Sequence, residues 1–258
     1  NGKAVVRQSA KADILSNAPQ FQGFIKFIVP NVLTRTTANI KLGIFNEQGI
    51  CIEHNSLDLD LFPKIKKTTQ KLFVLGAEQS KAKKISADLN FTFTSVLNTA
   101  QVLIVDGPDE YEKNKIEINL FVKNGGKAIL NEWPNGNHEI ESNKFSIQPT
   151  IMGNYYFVNI SNEVLASSIL KPKDFFMWYD KSKDYIQPIL YSVIKAPNFK
   201  PLATSGLCNF AGEDPAGYLA TGSFKYGKGQ FIVNTISLAG RIKENPAGIE
   251  FLRTVLNK

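Results

Sequence analysis

Cysteine, histidine and arginine are scarce in this chain of 258 residues, and each shortage removes a class of function. The two cysteines, Cys51 and Cys208, fall on opposite sides of a change in hydrophobic pattern, so no disulfide is expected between them. Two histidines, His54 and His138, do not complete the paired spacing of a zinc framework, and no metal or cofactor is expected. Only Arg7, Arg35, Arg241 and Arg253 are arginines among 30 basic residues. Arginine is the preferred residue for reading bases and phosphates. The net charge of +7 therefore does not point to nucleic acid. The densest basic runs, at Lys64, Lys66, Lys67 and Lys71 and at Lys81, Lys83 and Lys84, read as a solvated junction and a helix surface. No apolar run reaches the ~18 residues that span a bilayer, so no membrane partner is expected. The chain opens on Asn1-Gly2 without an initiator methionine. We therefore expect a processed or excised piece of a longer protein, and the missing signal-peptide pattern says little about compartment.

Hydrophobic content is 43% and charged content 21%, enough for a large core and ordinary for a globular chain. The hydrophobic period changes near residue 65. Before it, residues 21–30 are aromatic and β-branched, residues 38–45 alternate, and 46–49 (Asn-Glu-Gln-Gly) read as a turn. Residues 50–54 then return, and Leu57, Leu59 and Leu61 alternate with Asp58 and Asp60. This predicts about four antiparallel strands over 1–65, too few for a complete sandwich of ~7 strands. The unit is expected to need strands or packing from elsewhere.

Residues 66–258 predict an α/β domain. Residues 71–76, 101–106 and 127–132 are short, nearly continuous apolar runs, as in parallel strands covered on both faces. Between them lie a helix over 79–90, with Ala82, Ile85 and Leu89 at helical spacing, and one opened by Pro108-Asp109 and closed by Gly125-Gly126. Strand, helix, strand, helix, strand implies a flavodoxin-like, mostly parallel sheet with flanking helices. The stretch 133–200 is less regular and reads as an insertion, with a strand at 155–160, a short helix at 163–170 and a dense aromatic segment at 174–180. Residues 219–226 and 229–235 form a hairpin around Tyr226-Gly227-Lys228-Gly229. A final helix starts at Asn245-Pro246 and shares one face between Ile249, Leu252 and Leu256.

Three segments resemble the C-terminal region of glycoside hydrolase family 2 proteins of the β-galactosidase and β-glucuronidase type. They are Val122-Lys123-Asn124-Gly125-Gly126-Lys127-Ala128-Ile129-Leu130, the run Asp174-Phe175-Phe176-Met177-Trp178-Tyr179-Asp180, and residues 226–235 with the downstream Glu244-Asn245-Pro246-Ala247. The unit at 21–62 is similar to the immunoglobulin-like sandwich that follows the barrel in that family. The resemblance spans about residues 20–258. It implies a non-catalytic accessory role in carbohydrate degradation. In that family the two catalytic glutamates sit on an upstream barrel of ~250 residues, so no catalytic residue is carried over. The implied partners are that barrel, carbohydrate and a second copy of the chain. The implied compartment is the periplasm or the cell exterior.

Rival chemistries are weighed residue by residue. The 66–258 pattern is also that of a class I amidotransferase-like domain. Such an enzyme needs a cysteine on a tight turn after the third strand, with a histidine partner. That place holds Leu130-Asn131-Glu132-Trp133-Pro134, with neither cysteine nor serine. Cys208, in Ser205-Gly206-Leu207-Cys208, lacks the second glycine of an elbow, although a Cys208–His138 dyad stays open. Asp106, Glu132, Asp180 and Asp214 are candidate carboxylates for glycoside cleavage. A role in capping helices and loop amides is preferred for them. The alternative of a stand-alone carbohydrate-binding module would use Trp133, Trp178 and Tyr179, which offer flat rings to a pyranose. Packing is the preferred role for all three, and Trp133, in a Pro/Asn/Gly loop, is the one whose surroundings allow exposure. The other two are expected in core or interface.

Overall fold

The structure, a computed structural model, describes residues 4–12, 21–22, 26–150, 158–176, 178–205 and 218–257. The chain divides into two compact units, residues 1–64 and 65–258.

In the first unit, β1 (Thr36–Phe45) and β2 (Cys51–Leu61) form an antiparallel ribbon closed by the expected turn, with Gly49 at φ +78°. Residues 50–54 and 57–61, expected as separate strands, are one continuous strand, because nothing between them breaks the period of two. Residues 26–30 form no strand, and 23–25 lie outside the described residues. The described strands thus number two rather than four. One face pairs Ala38 with Leu59 and Ile40 with Leu57. On the other, Thr37 donates to Asp60 (2.8 Å) and Asn39 to Asp58 (2.7 Å). Arg35 closes the end of the ribbon, 2.5 Å from Asp60 and over the Phe62 ring.

The second unit is an α/β fold. Its elements in chain order are β3 (Lys71–Leu75), α1 (Lys81–Asp88), β4 (Thr92–Phe93), β5 (Val102–Val105), α2 (Pro108–Lys113), α3 (Lys115–Lys123) and β6 (Lys127–Asn131). Then come β7 (Gly136–Ile140), β8 (Asn143–Pro149), β9 (Val158–Ile160), α4 (Asn162–Ala166), β10 (Tyr179–Asp180) and β11 (Tyr185–Ile186). The chain ends with β12 (Ser192–Lys195), β13 (Lys200–Ser205), β14 (Leu219–Tyr226), β15 (Gly229–Asn234) and α5 (Pro246–Asn257).

The main sheet runs β4-β3-β5-β6-β15-β14-β12-β8-β7, with β13 and β9 attached through β14. The contiguous half from β4 to β15 is parallel. From β14 onward the pairing is antiparallel, and the supposed insertion at 133–200 contributes β7, β8, β9 and β12 to this sheet. The strand expected at 155–160 is present over Val158–Ile160, and 151–157 lie outside the described residues.

The helix expected from 108 to 123 is two helices that break at Asn114 (φ −116°, ψ 16°), whose side chain bonds the Glu110 carbonyl. A side chain that returns to the backbone in this way competes with helix continuation. After α3, Gly125 takes φ +116° and the Gly126 amide reaches back to Phe121 O. This is the left-handed closure that glycine supplies at a helix end.

Leu103 and Val105 of β5, Ala128 and Leu130 of β6, and Phe231 and Val233 of β15 enter one apolar cluster with Tyr111, Ile118 and Val122. The alternate residues Val102, Ile104, Ile129 and Ile232 are equally buried. Burial on both faces is why these strands read as continuous apolar runs. Tyr111 lies in this core and its hydroxyl donates to Asn119 Oδ1 (2.9 Å). Burial pushes its phenol up to about 12. An unfolded tyrosine titrates near ~10, so the stability Tyr111 contributes is complete below about pH 10 and lost as pH rises through about 12. The difference in urea stability between wild type and Tyr111→Phe is expected to shrink over that interval. A difference constant from pH 9 to about 12 would contradict it.

Candidate functional site at the carboxyl ends of the parallel strands

Open α/β sheets place ligands outside the carboxyl ends of their strands, where the strand order reverses. Here the chain leaves β3 for β4 on one side and returns to β5 on the other, so the reversal lies between β3 and β5. Gly76 follows β3 and Asp106 follows β5. A methyl on Gly76 would stand 2.7 Å from Ser80 Oγ and 2.9 Å from Asp106 Cβ, so the crevice is closed at this point. The first amides of α1 are also taken. Asp106 Oδ1 accepts from Ala82 N (2.8 Å), and Ser80 Oγ accepts from Lys83 N (3.2 Å). The helix N-terminus, which could otherwise cradle an anion, is capped by the protein's own oxygens.

Glu132 follows β6 in a left-handed conformation, φ +49°. The position predicted for a nucleophile is therefore a real backbone corner, occupied by a carboxylate. Its side chain is 8% exposed. Oε1 accepts from Leu238 N (3.1 Å), Ala239 N (3.2 Å) and Asn131 Nδ2 (3.3 Å), while Oε2 lies 3.2 Å from Lys81 Nζ. Behind it runs a buried polar ladder across three strands. Thr221 Oγ1 donates to Asn234 Oδ1 (2.6 Å), and Asn234 Nδ2 donates to Asn131 Oδ1 (2.9 Å) and to the Ile236 carbonyl (3.1 Å). These bonds lock the ends of β6, β14 and β15 to the 236–239 turn. Buried polar groups that are all paired rigidify a site rather than react.

The other candidates are placed apart. Asp180 accepts from Ser182 N and Oγ, and these bonds hold its carboxyl below the usual carboxylate range. It also faces buried Arg241 at 3.8 Å. Arg241 donates to the carbonyls of Pro188, Trp178 and Gln187 and so ties the β10–β11 hairpin to the 236–244 segment. Asp214 and Cys208 lie outside the described residues, so the Cys208–His138 pairing does too. His138 itself is braced, with Nε2 2.9 Å from Pro134 O and its ring stacked on Phe145. Cys51 is a free, exposed thiol on β2. Among the described residues no group of three or more His, Cys, Asp and Glu could hold a metal ion.

The exposure that its loop allowed for Trp133 is absent, and the preferred packing role is what the ring has. Its ring is 4% exposed, packed between Tyr111 and Phe145, because β7 and β8 fold the Pro/Asn/Gly loop back onto the core. Trp178 is also 4% exposed, in contact with Phe175, and its Nε1 donates to the Asp174 carbonyl. Of the three rings only that of Tyr179 reaches solvent, at 43% exposure, with its hydroxyl bonded to Asp184. Asn245 uses its amide to donate to Tyr179 O and Arg241 O, which joins this hairpin to the start of α5.

No family model matches this chain, and no curated protein matches it in sequence. Among solved structures, similarity extends to an exo-β-1,4-mannosidase from Opitutaceae bacterium strain TAV5. There the identity is 10%, the TM-score 0.43, and the match covers 74% of this chain and 36% of that one. A β-galactosidase from Rahnella sp. R3 is 14% identical, with TM-score 0.40 and coverage of 74% and 31%. The cytoplasmic protein STM1381 from Salmonella typhimurium LT2 is 8% identical, with TM-score 0.39 and coverage of 86% and 96%. The chain thus spans about a third of the length of these two glycoside hydrolases. Likeness at this level assigns no activity.

Proposed function

We propose that this chain is a non-catalytic accessory part of a glycoside hydrolase, of the kind found at the C-terminus of family 2 enzymes. Its second unit is then an amidotransferase-like scaffold without that scaffold's nucleophile. The observation that carries the reading is Glu132. It stands on the left-handed corner after the third parallel strand, and Leu238, Ala239 and Asn131 occupy one of its oxygens while Lys81 faces the other. A general acid or nucleophile needs a lone pair or proton directed at substrate, and these partners direct this carboxylate into the protein. Asp106, on the neighbouring strand, is engaged by α1 in the same way. The three segments that resemble family 2 proteins support the carbohydrate part of the reading. Two of them meet in space: Lys228 N donates to Lys123 O (3.0 Å) and Gln230 N to Gly126 O (3.3 Å).

The test is turnover by the purified chain. With nitrophenyl β-galactoside and nitrophenyl β-mannoside, release of nitrophenol is expected at the buffer rate, and equally so for Glu132→Gln. Hydrolysis by the wild type that drops in Glu132→Gln would overturn the proposal.

A further inference from the structure

We draw no further inference here: the strongest candidate, the aliphatic face of the β1–β2 ribbon where Leu42, Ile44 and Leu57 stand exposed, is a sheet face for which nothing among the described residues shows what covers it.

Discussion

Gly229→Ala is expected to destabilise the second unit by about 3 kcal/mol, at the upper end of overpacking costs. A methyl at position 229 would stand 2.1 Å from Gly126 O and 2.3 Å from Val122 O. Both neighbours are backbone, so no side chain can swing aside. The loop after α3 cannot retreat freely either. Its carbonyls at Lys123 and Gly126 accept from Lys228 and Gln230, and its Phe121 carbonyl is held by Gly126 N. For a unit of this size each kcal/mol moves Tm by ~2–4 °C, so a fall of about 6–12 °C is expected. Gly107→Ala is the control, since that position has open space around it and ordinary backbone geometry. It should stay within about 0.5 kcal/mol of wild type. Equal melting temperatures for Gly229→Ala and Gly107→Ala would show that the close approach of the two segments is not real.

Glu132→Ala is expected to cost about 3–5 kcal/mol, the penalty of stripping one partner from a buried charged network. The Leu238 and Ala239 amides and the Asn131 amide would lose their shared acceptor. Each stranded buried donor costs ~1–3 kcal/mol. Glu132→Gln keeps an oxygen at the same place and should cost only about 1 kcal/mol. Lys81 is 55% exposed, and half-exposed ion pairs contribute ~0–1 kcal/mol, so Lys81→Ala should be nearly silent. Urea denaturation of the three variants gives the order. If Lys81→Ala proves as harmful as Glu132→Ala, the ion pair rather than the amide contacts holds the corner.

Legibility in the sequence followed physical range. Residues 102–105 and 127–131 showed as strands because burial on both faces makes their pattern continuous, and 71–75 showed by the same apolar run although only Leu72 of it is fully buried. The Gly227–Gly229 turn showed because Gly227 needs φ +59°, which its neighbours could not take at low cost. The antiparallel half was missed in part. Phe145 and Ile147 alternate with Lys144, Ser146 and Gln148, a period-two signal that did exist, but the polar partner strand at Gly136–Ile140 hides its side of the pairing. Trp133 was ambiguous for a related reason. Its neighbours are loop formers, and only the return of β7 and β8 covers the ring. Glu132 was legible as a strand-end carboxylate, whereas its partners are backbone amides about a hundred residues downstream, which carry no residue-type signal.

The sequence by itself determined the α/β class of the second unit, the positions of its parallel strands and the lack of a cysteine or serine at the corner after β6. These depend on hydrophobic period and residue identity, which are local. Tertiary structure decided that the Glu132 carboxylate is consumed by the 238–239 amides and that two of the three candidate rings are core. Those outcomes depend on which distant backbone groups arrive beside a side chain, and packing across the sheet sets that.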